Sequence, residues 1–414
     1  MRVGMLTQWY DPEPGPAALP GVLARGLAER GHDVRVVTGF PNYPTGEIAS
    51  GYRISRKRDE RLDGVAVRRV ALYPSHDASA VRRLANYTSF GASTLLSGLG
   101  ALRGVEALWI NYSPITIAWP MWAVRYGLKV PCVVHVLDLW PDTLLVGGFA
   151  RGGCAFRAAE KGLNAWCNAM YRAAHSVAYI SPGVGVVLQR RGVSPEKLAY
   201  LPMWADEDVF RPSSDDLRSE LGLSDDAIVL LYAGALGHAQ GLDTLIDACA
   251  KVDDSRFHCL IAGSGIAESS LRVRADELGA ANVRFLGRLP KGQMTALMAT
   301  GDFNYVGLRS HALSHITMPS KTQSGLAAGC ALLVAAEGDV ANVIRESGAG
   351  FTADPGNPAS IAEAIHCACT LGRDGLYKMG QRARSYYERK FSITHGVHRI
   401  ESLLEHAAAS RSTR

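Results

Sequence analysis

Gly234, Gly237 and Gly241 follow directly on the apolar run Ile228-Val229-Leu230-Leu231-Tyr232-Ala233. Beyond them Leu242, Leu245, Ile246 and Cys249 recur at helical spacing. Strand, glycine loop and helix together aim free main-chain N–H groups at an anion. A helix N-terminus carries about half a positive charge, and glycine lets a phosphate approach the backbone. The spacing is neither G-x-G-x-x-G nor a Walker loop, and the same pattern also serves an ordinary strand-to-helix turn. The loop contains no Arg or Lys, so a full positive charge for a bound phosphate has to come from elsewhere. Lys321 is the candidate. It follows Pro319-Ser320 at a predicted helix start, where lysine is unfavourable by roughly a few tenths of a kcal/mol unless an anion reverses the sign.

A second set of reactive side chains lies in the first half. His135 stands in a run of valines and is followed by Asp138-Leu139-Trp140-Pro141-Asp142. Read by itself it is either a core histidine bonded to backbone or a site residue, and the two carboxylates at the strand end favour a site. Trp9, Tyr10, Phe40 and Tyr43 crowd two loops, Gln8–Pro16 and Gly39–Gly46. Aromatic side chains in such loops stack on sugars or lipid-like groups, or else fill a core. Asp253-Asp254 reads as a helix-to-strand turn rather than a metal site, and no metal or cofactor is expected.

The elements that must position these residues repeat one unit. Val3–Leu6, Leu19–Arg30 and Asp33–Thr38 read as strand, helix, strand, which implies a parallel sheet. Val65–Val70, Ala107–Asn111, Cys132–Asp138 and Ser176–Ser181 continue as strands. The helices Arg82–Leu102 and Arg151–Ala174 are basic and amphipathic, so each either covers its sheet or lies on a membrane. Strands Ile228–Ala233, Phe257–Ala262, Val283–Gly287, Phe303–Leu308 and Ala331–Ala335 alternate with helices in the second half. The fold class is α/β, two Rossmann-like domains facing across a cleft. Ligands of such folds bind at the carboxyl ends of the strands. We place an N-terminal domain at 1–203, a C-terminal domain at 204–385 and terminal helices packing back at 386–414, with a frayed tail from Ser410.

Size and composition agree. A chain of 414 residues exceeds a single core. Apolar residues at 47% and charged residues at 20% describe a globular protein, and a net charge of +5 suits an anionic substrate or surface better than nucleic acid. The eight cysteines form no C-x-x-C pair, which points to reduced thiols and the cytoplasm. The start of the chain does not read as a signal peptide. The stretch 110–128 is broken by Pro114, Pro120 and Arg125, a poor membrane span.

With these pieces in order, the sequence resembles a GT-B glycosyltransferase of family 4, the retaining, metal-independent type. It is most similar to the branch that builds envelope polysaccharides and includes the fucosamine transferases. The resemblance rests on Gln8-Trp9-Tyr10-Asp11-Pro12-Glu13, the Gly39–Gly46 loop, His135 to Asp142, Leu201-Pro202-Met203-Trp204-Ala205, Gly234 to Gly241, and Pro319-Ser320-Lys321 with Leu326-Ala327-Ala328-Gly329. It implies that the C-terminal domain holds a nucleotide-sugar and the N-terminal domain the acceptor. Gly237, His238, Gln240 and Gly241 would then face the donor diphosphate, with Lys321 as the cation beside it. The stretch Met318-Pro319-Ser320 would meet the donor through the main-chain N–H groups of Met318 and Ser320, and Gly263, Arg288 and Leu289 would line the base. Gly15 would approach from the N-terminal loop, and His135 would lie near the donor sugar beside Asp138. Trp9, Tyr10, Asn42 and Tyr43 would meet the acceptor.

The sequence departs from the family pattern in two places. His238 and Gln240 replace the Arg and Lys of its phosphate loop, and Ile316 and Ser324 replace two glutamates eight positions apart. Ser324 can make only a short contact to a ribose, which makes a dTDP-sugar more admissible, with a UDP-sugar as the first expectation. The implied partners are the nucleotide-sugar and a saccharide or lipid-linked saccharide acceptor, with a peripheral membrane contact on the cytoplasmic face. A natural-product glycosyltransferase, a sugar-nucleotide 2-epimerase and a non-catalytic sugar-nucleotide binder are the rival readings.

Overall fold

The computed structural model describes residues 1–13, 19–75, 79–142 and 154–412. They form two compact units, Met1–Leu201 with Gly396–Arg414, and Pro202–His395.

The first unit is built on β1 (Arg2–Leu6), β2 (Asp33–Gly39), β3 (Lys57–Leu62), β4 (Val65–Val70), β5 (Ala107–Asn111), β6 (Cys132–Val136), β7 (Ser176–Tyr179) and β8 (Leu198–Tyr200). They form one sheet in the order β3-β4-β2-β1-β5-β6-β7-β8. All neighbours are parallel except β3 and β4. β5 and β6 are buried along their whole length, as parallel strands covered on both faces must be. β3 reads Lys-Arg-Asp-Glu-Arg-Leu and has no apolar period, so only its turn announces it. Asp63 and Gly64 both take positive φ (46° and 81°), the Asp-Gly signature of a tight hairpin.

Helix α1 (Leu19–Glu29) puts Leu23, Ala24 and Leu27 into the core. The expected helix from Arg82 to Leu102 is a composite rod. It comprises α2 (Ala80–Ser93), a wider π turn over Thr94–Gly98 and a 3₁₀ turn over Leu99–Leu102. The short α3 (Ala118–Trp122) packs beside α2, where a Cβ at Gly91 would meet the Thr116 carbonyl at 2.8 Å. Helix α4 (Cys154–Ala173) and helix α5 (Pro182–Arg190) flank β7.

The second unit carries β9 (Ile228–Ala233), β10 (Phe257–Ala262), β11 (Val283–Gly287), β12 (Phe303–Gly307), β13 (Ala331–Ala335) and β14 (Gly350–Ala353). Their order is β11-β10-β9-β12-β13-β14, all parallel. The chain builds outward from β9 through β10 to β11, then returns to the other side of β9 with β12. The carboxyl ends of β9 and β12 are therefore the topological switch point, where open α/β sheets bind ligands. Around this sheet lie α6 (Leu242–Cys249), α7 (Glu268–Glu277), α8 (Met294–Thr300), α9 (Ser320–Ala328), α10 (Asp339–Ser347) and α11 (Pro358–Lys390). Leu245, Ile246, Tyr305, Leu333 and Ile365 meet in its core.

Helix α12 (Ile393–Ser412) crosses from the second unit back to the first. The tail read as frayed from Ser410 is helical to Ser412, because it is tied down. Arg411 Nη1 donates to the Val105 carbonyl at 3.0 Å, and buried Glu401 receives Arg30 Nε at 2.7 Å and His32 Nε2 at 2.8 Å.

Candidate functional site

In the second unit the three glycine loops after β9, β10 and β11 interlock. Gly234 N–H donates to the Ala262 carbonyl at 2.9 Å, and Gly263 N–H to the Gly287 carbonyl at 2.8 Å. A Cβ at Gly263, where φ is +140°, would lie 1.8 Å from the Gly234 carbonyl oxygen. Only glycine permits that approach. Gln240 folds back so that its Oε1 accepts the Gly237 N–H at 3.2 Å. Gly241, in the left-handed region, then opens α6 with no side-chain cap. Of the residues expected at the phosphate, Gln240 thus shapes the loop, while Gly237, His238 and Gly241 present backbone at the switch point.

Lys321 sits in the first turn of α9, whose start has no side-chain cap either. Its chain is laid across Gly234. A Cβ there would be 2.5 Å from Lys321 Cε and 2.8 Å from Nζ. Nζ lies 5.0 Å from the centre of the Tyr232 ring. Burial alone holds the Lys321 pKa below the usual lysine value, and among the described residues no carboxylate pairs with it. The strand turn of β9 and the N-terminus of α9 thus converge on one desolvated ammonium, the arrangement that favours an anion.

A second cation was not read from the sequence. Arg309, two residues past β12, anchors its N–H on the Ala239 carbonyl at 2.9 Å. Its Cγ reaches Gly241, and its guanidinium bonds the carboxylate of Asp243 in the first turn of α6. The signal for it was positional: a cation just after a strand bordering the switch point. Beside the loop a cavity of about 460 Å³ is lined by Gly237, His238, Asp243, Ser270, Arg274 and Arg309 among others. Lys321 lies outside it.

The other donor-side expectations are spread along the same edge. Arg288 is exposed and Leu289 half-buried, just past Gly287 at the end of β11. The Met318 side chain packs in the core with Leu326 and Val334, which leaves only its main chain for a ligand. Pro319 precedes α9, Ser320 begins it, and half-buried Ser324 stands one turn beyond Lys321.

In the first unit the two loops expected to meet the acceptor are stapled together by a residue outside that list. Glu13, 4% exposed, accepts the N–H of Tyr10 on Oε2 at 2.9 Å. Its Oε1 accepts those of Asn42 and Tyr43 at 2.8 and 2.9 Å. Fully buried Arg69 adds bonds to the carbonyls of Asp11 and Gly39 and to Glu60 Oε1 at 2.5 Å. Two of the four expected contacts are consequently turned inward. Tyr10 is 1% exposed, and Asn42, at 3%, donates to the Phe40 carbonyl at 3.0 Å. Trp9, edge-on to Tyr87 with ring centres 6.4 Å apart, and Tyr43 keep part of their surface. Gly15 lies outside the described residues.

His135 is fully buried in β6, edge-on to Trp109. Its Nε2 lies 3.3 Å from the carbonyl of Leu201, the last residue of the unit's main segment. A carbonyl only accepts, so the proton is on Nε2 and Nδ1 is a bare acceptor, which has no partner among the described residues. Burial lowers its pKa to about 4, so the ring is neutral at pH 7. Asp138 is exposed, whereas Asp142 is taken by Arg191. Among the described residues His32, Glu401 and Glu405 are near enough to share a metal, but Arg30 already occupies the Glu401 carboxylate. No helix among them is long and apolar enough to cross a membrane.

Residues 15–204 match the family model of the glycosyl transferase 4-like domain, and residues 213–386 that of glycosyl transferases group 1. The chain is 28% identical over 335 residues to WcaI of Escherichia coli K12, described as a colanic acid biosynthesis glycosyl transferase. The match covers 79% of this chain and 81% of that one. Among solved structures, sucrose-phosphate synthase from Thermosynechococcus elongatus superposes with a TM-score of 0.72 at 17% identity, covering 99% of both chains. Anabaena HepE in complex with UDP superposes at 0.70 and 15% identity, covering 98% of this chain and 100% of that one. The chain belongs to the family-4 GT-B glycosyltransferases, its first half a glycosyl transferase 4-like domain and its second half a group 1 domain.

Proposed function

We propose that this enzyme transfers a sugar from a nucleoside diphosphate donor, a UDP-sugar first, to a saccharide or lipid-linked saccharide acceptor, with retention and without a metal. The observation that carries the donor side is the half-buried Lys321 ammonium at the junction of the β9 turn and α9, with no carboxylate paired to it among the described residues. A leaving diphosphate gains negative charge as the glycosidic bond breaks, and a preorganised cation there stabilises that charge. Arg309, at the switch point, steadies the loop from its far side. UDP is favoured by the HepE complex and the polysaccharide acceptor by the WcaI likeness. The free cysteines of the described residues agree with the cytoplasm. Ser324 in place of a long carboxylate supports a dTDP-sugar as the second reading.

The chemistry assigned to each group follows its environment. In a retaining transfer the departing phosphate oxygen takes the acceptor proton as the new bond forms on the face it leaves. A neutral His135 with a pKa near 4 is too weak a base to compete at pH 7. We therefore give it a positioning role at Leu201, and Asp138 a place at the acceptor hydroxyls with Trp9 and Tyr43.

The test is calorimetric titration of UDP, dTDP, GDP and ADP into wild type and Lys321→Ala. UDP should bind tightest, and the variant should lose about 100-fold in affinity, the roughly 2.7 kcal/mol typical of one charge-assisted contact. Wild-type affinity should fall as pH rises through the lowered Lys321 pKa, because the neutral amine no longer attracts phosphate. Unchanged binding by Lys321→Ala would overturn the donor assignment. Donor consumed at an equal rate without any acceptor would favour the epimerase.

A further inference from the structure

The glycine loop from Gly234 to Gly241 carries no Arg or Lys, and Lys321 supplies a cation only at its Gly234 end. A diphosphate bears charge on both phosphates, so the one farther from Lys321 needs a charged donor as well. Gln240 cannot serve, because its Oε1 is spent on the Gly237 N–H at 3.2 Å. At Gly241 the position of a Cβ is approached, at 3.6 Å, by Cγ of Arg309. That arginine enters from the carboxyl end of β12, with its main-chain N–H fixed on the Ala239 carbonyl at 2.9 Å. The loop is therefore bracketed, with Lys321 over its first glycine and Arg309 over its last.

The Arg309 guanidinium holds the carboxylate of Asp243 in the first turn of α6. Burial pushes that carboxyl up, but Arg309 and the main-chain N–H of Thr244 outweigh it and keep the group below the ordinary carboxylate range. A carboxylate thus lies between a guanidinium and a first-turn N–H of α6, the surroundings that suit a phosphate. The two side chains are 49% and 38% exposed, so little holds this pair against a better acceptor. An exposed ion pair is weak, and a phosphate can take several of the N–H donors of a guanidinium at once. Arg274, which lines the same cavity of about 460 Å³, is less free to move, since both carboxylate oxygens of Asp247 hold it at 2.5 and 2.6 Å.

We propose that Arg309 is a second phosphate ligand of the donor site, exchanging Asp243 for the diphosphate when the donor binds and returning to Asp243 when the nucleoside diphosphate leaves. It rests on the proposed donor site at Lys321, and it adds to the bracing of the loop a direct contact with the leaving group. The guanidinium supplies the charge that the loop itself lacks, and Asp243 keeps it folded toward the loop between turnovers. The experiment is calorimetric titration of UDP and of uridine into the full chain and its variants.

Arg309→Ala should weaken UDP about 30-fold and leave uridine, which has no phosphate, unchanged. Arg309→Lys should recover part of the loss, since the charge returns without the planar fork. Asp243→Asn should tighten UDP about threefold, because the guanidinium no longer has to leave a carboxylate. A pair that only braces the loop predicts the opposite sign, with Asp243→Asn weakening UDP as Arg309→Ala does. That result would overturn the proposal. So would unchanged UDP affinity in Arg309→Ala, or equal losses of UDP and uridine. Lys321→Ala separates this proposal from the donor site itself: UDP lost there but kept by Arg309→Ala leaves the donor site standing and removes Arg309 from it. If wild type fails to bind UDP, the donor site falls and the role of Arg309 falls with it.

Discussion

At the scale of single residues, burial decides which groups are chemically available. His135, fully buried, and Lys321, half-buried, are both cationic types that burial holds toward the neutral form, yet they face opposite consequences. Lys321 lies where a ligand phosphate can restore the lost solvation. His135 has only the Leu201 carbonyl, so protonation in the folded state is opposed down to about pH 4. An unfolded histidine protonates near 6.5. Between those values the unfolded chain binds the extra proton, so stability contributed at pH 7 is lost as pH falls from about 6.5 to 4, and the loss stops below. Integrated, the loss is about 3 kcal/mol. His135→Gln should remove this slope, read as the difference in urea midpoints between wild type and variant across that range. Parallel profiles for the two proteins would mean that the imidazole is solvated in a way its burial does not suggest.

At the scale of elements, glycine positions separate fold from function. Gly263 and Gly234 both hold backbone that other residues resist, but a Cβ meets different things. At Gly263 it strikes the Gly234 carbonyl at 1.8 Å, and neither strand end can yield. At Gly234 it meets the far end of Lys321, which can swing away. Gly263→Ala should therefore unfold the second unit more readily, by about 3 kcal/mol or more. Gly234→Ala carries the strain of its φ of +150° without that collision, so it should lose less stability than Gly263→Ala and lose nucleotide affinity. Equal melting losses from the two would argue against this division. The strand, loop and helix around these glycines were legible because they are local: an apolar run, three glycines and a 3.6-residue period. So was Lys321, whose place after Pro319-Ser320 marks a helix start. What stayed illegible depends on partners far along the chain. Tyr10 and Asn42 look like loop residues until Glu13 binds both backbones and Arg69 draws in the carbonyls of Asp11 and Gly39. Arg309 belongs to the site only because β12 returns beside β9. β3 has no apolar pattern because it is a hairpin edge.

At the scale of the molecule, each unit has a sheet and a core of its own, and α12 completes the first after the second is finished. Two cores predict two unfolding transitions in calorimetry. The proposed donor residues from Gly237 to Ser324 belong to Pro202–His395, so saturating UDP should raise one transition and leave the other. At 100 times its dissociation constant the gain is about 2.7 kcal/mol, or about 5–10 °C for a unit of this size. The second transition can be assigned independently. Arg30 and His32 hold the Glu401 carboxyl down to about 2, so the clasp of α12 is in place at pH 7. It weakens as pH falls from the ordinary glutamate value, near 4.3, toward 2. Glu401→Ala should therefore lower only the transition that UDP does not move, and that difference should shrink on acidification. If UDP raises the same transition that Glu401→Ala lowers, then nucleotide binding and the closure of α12 are one cooperative event, and the donor site is not the property of the second unit alone.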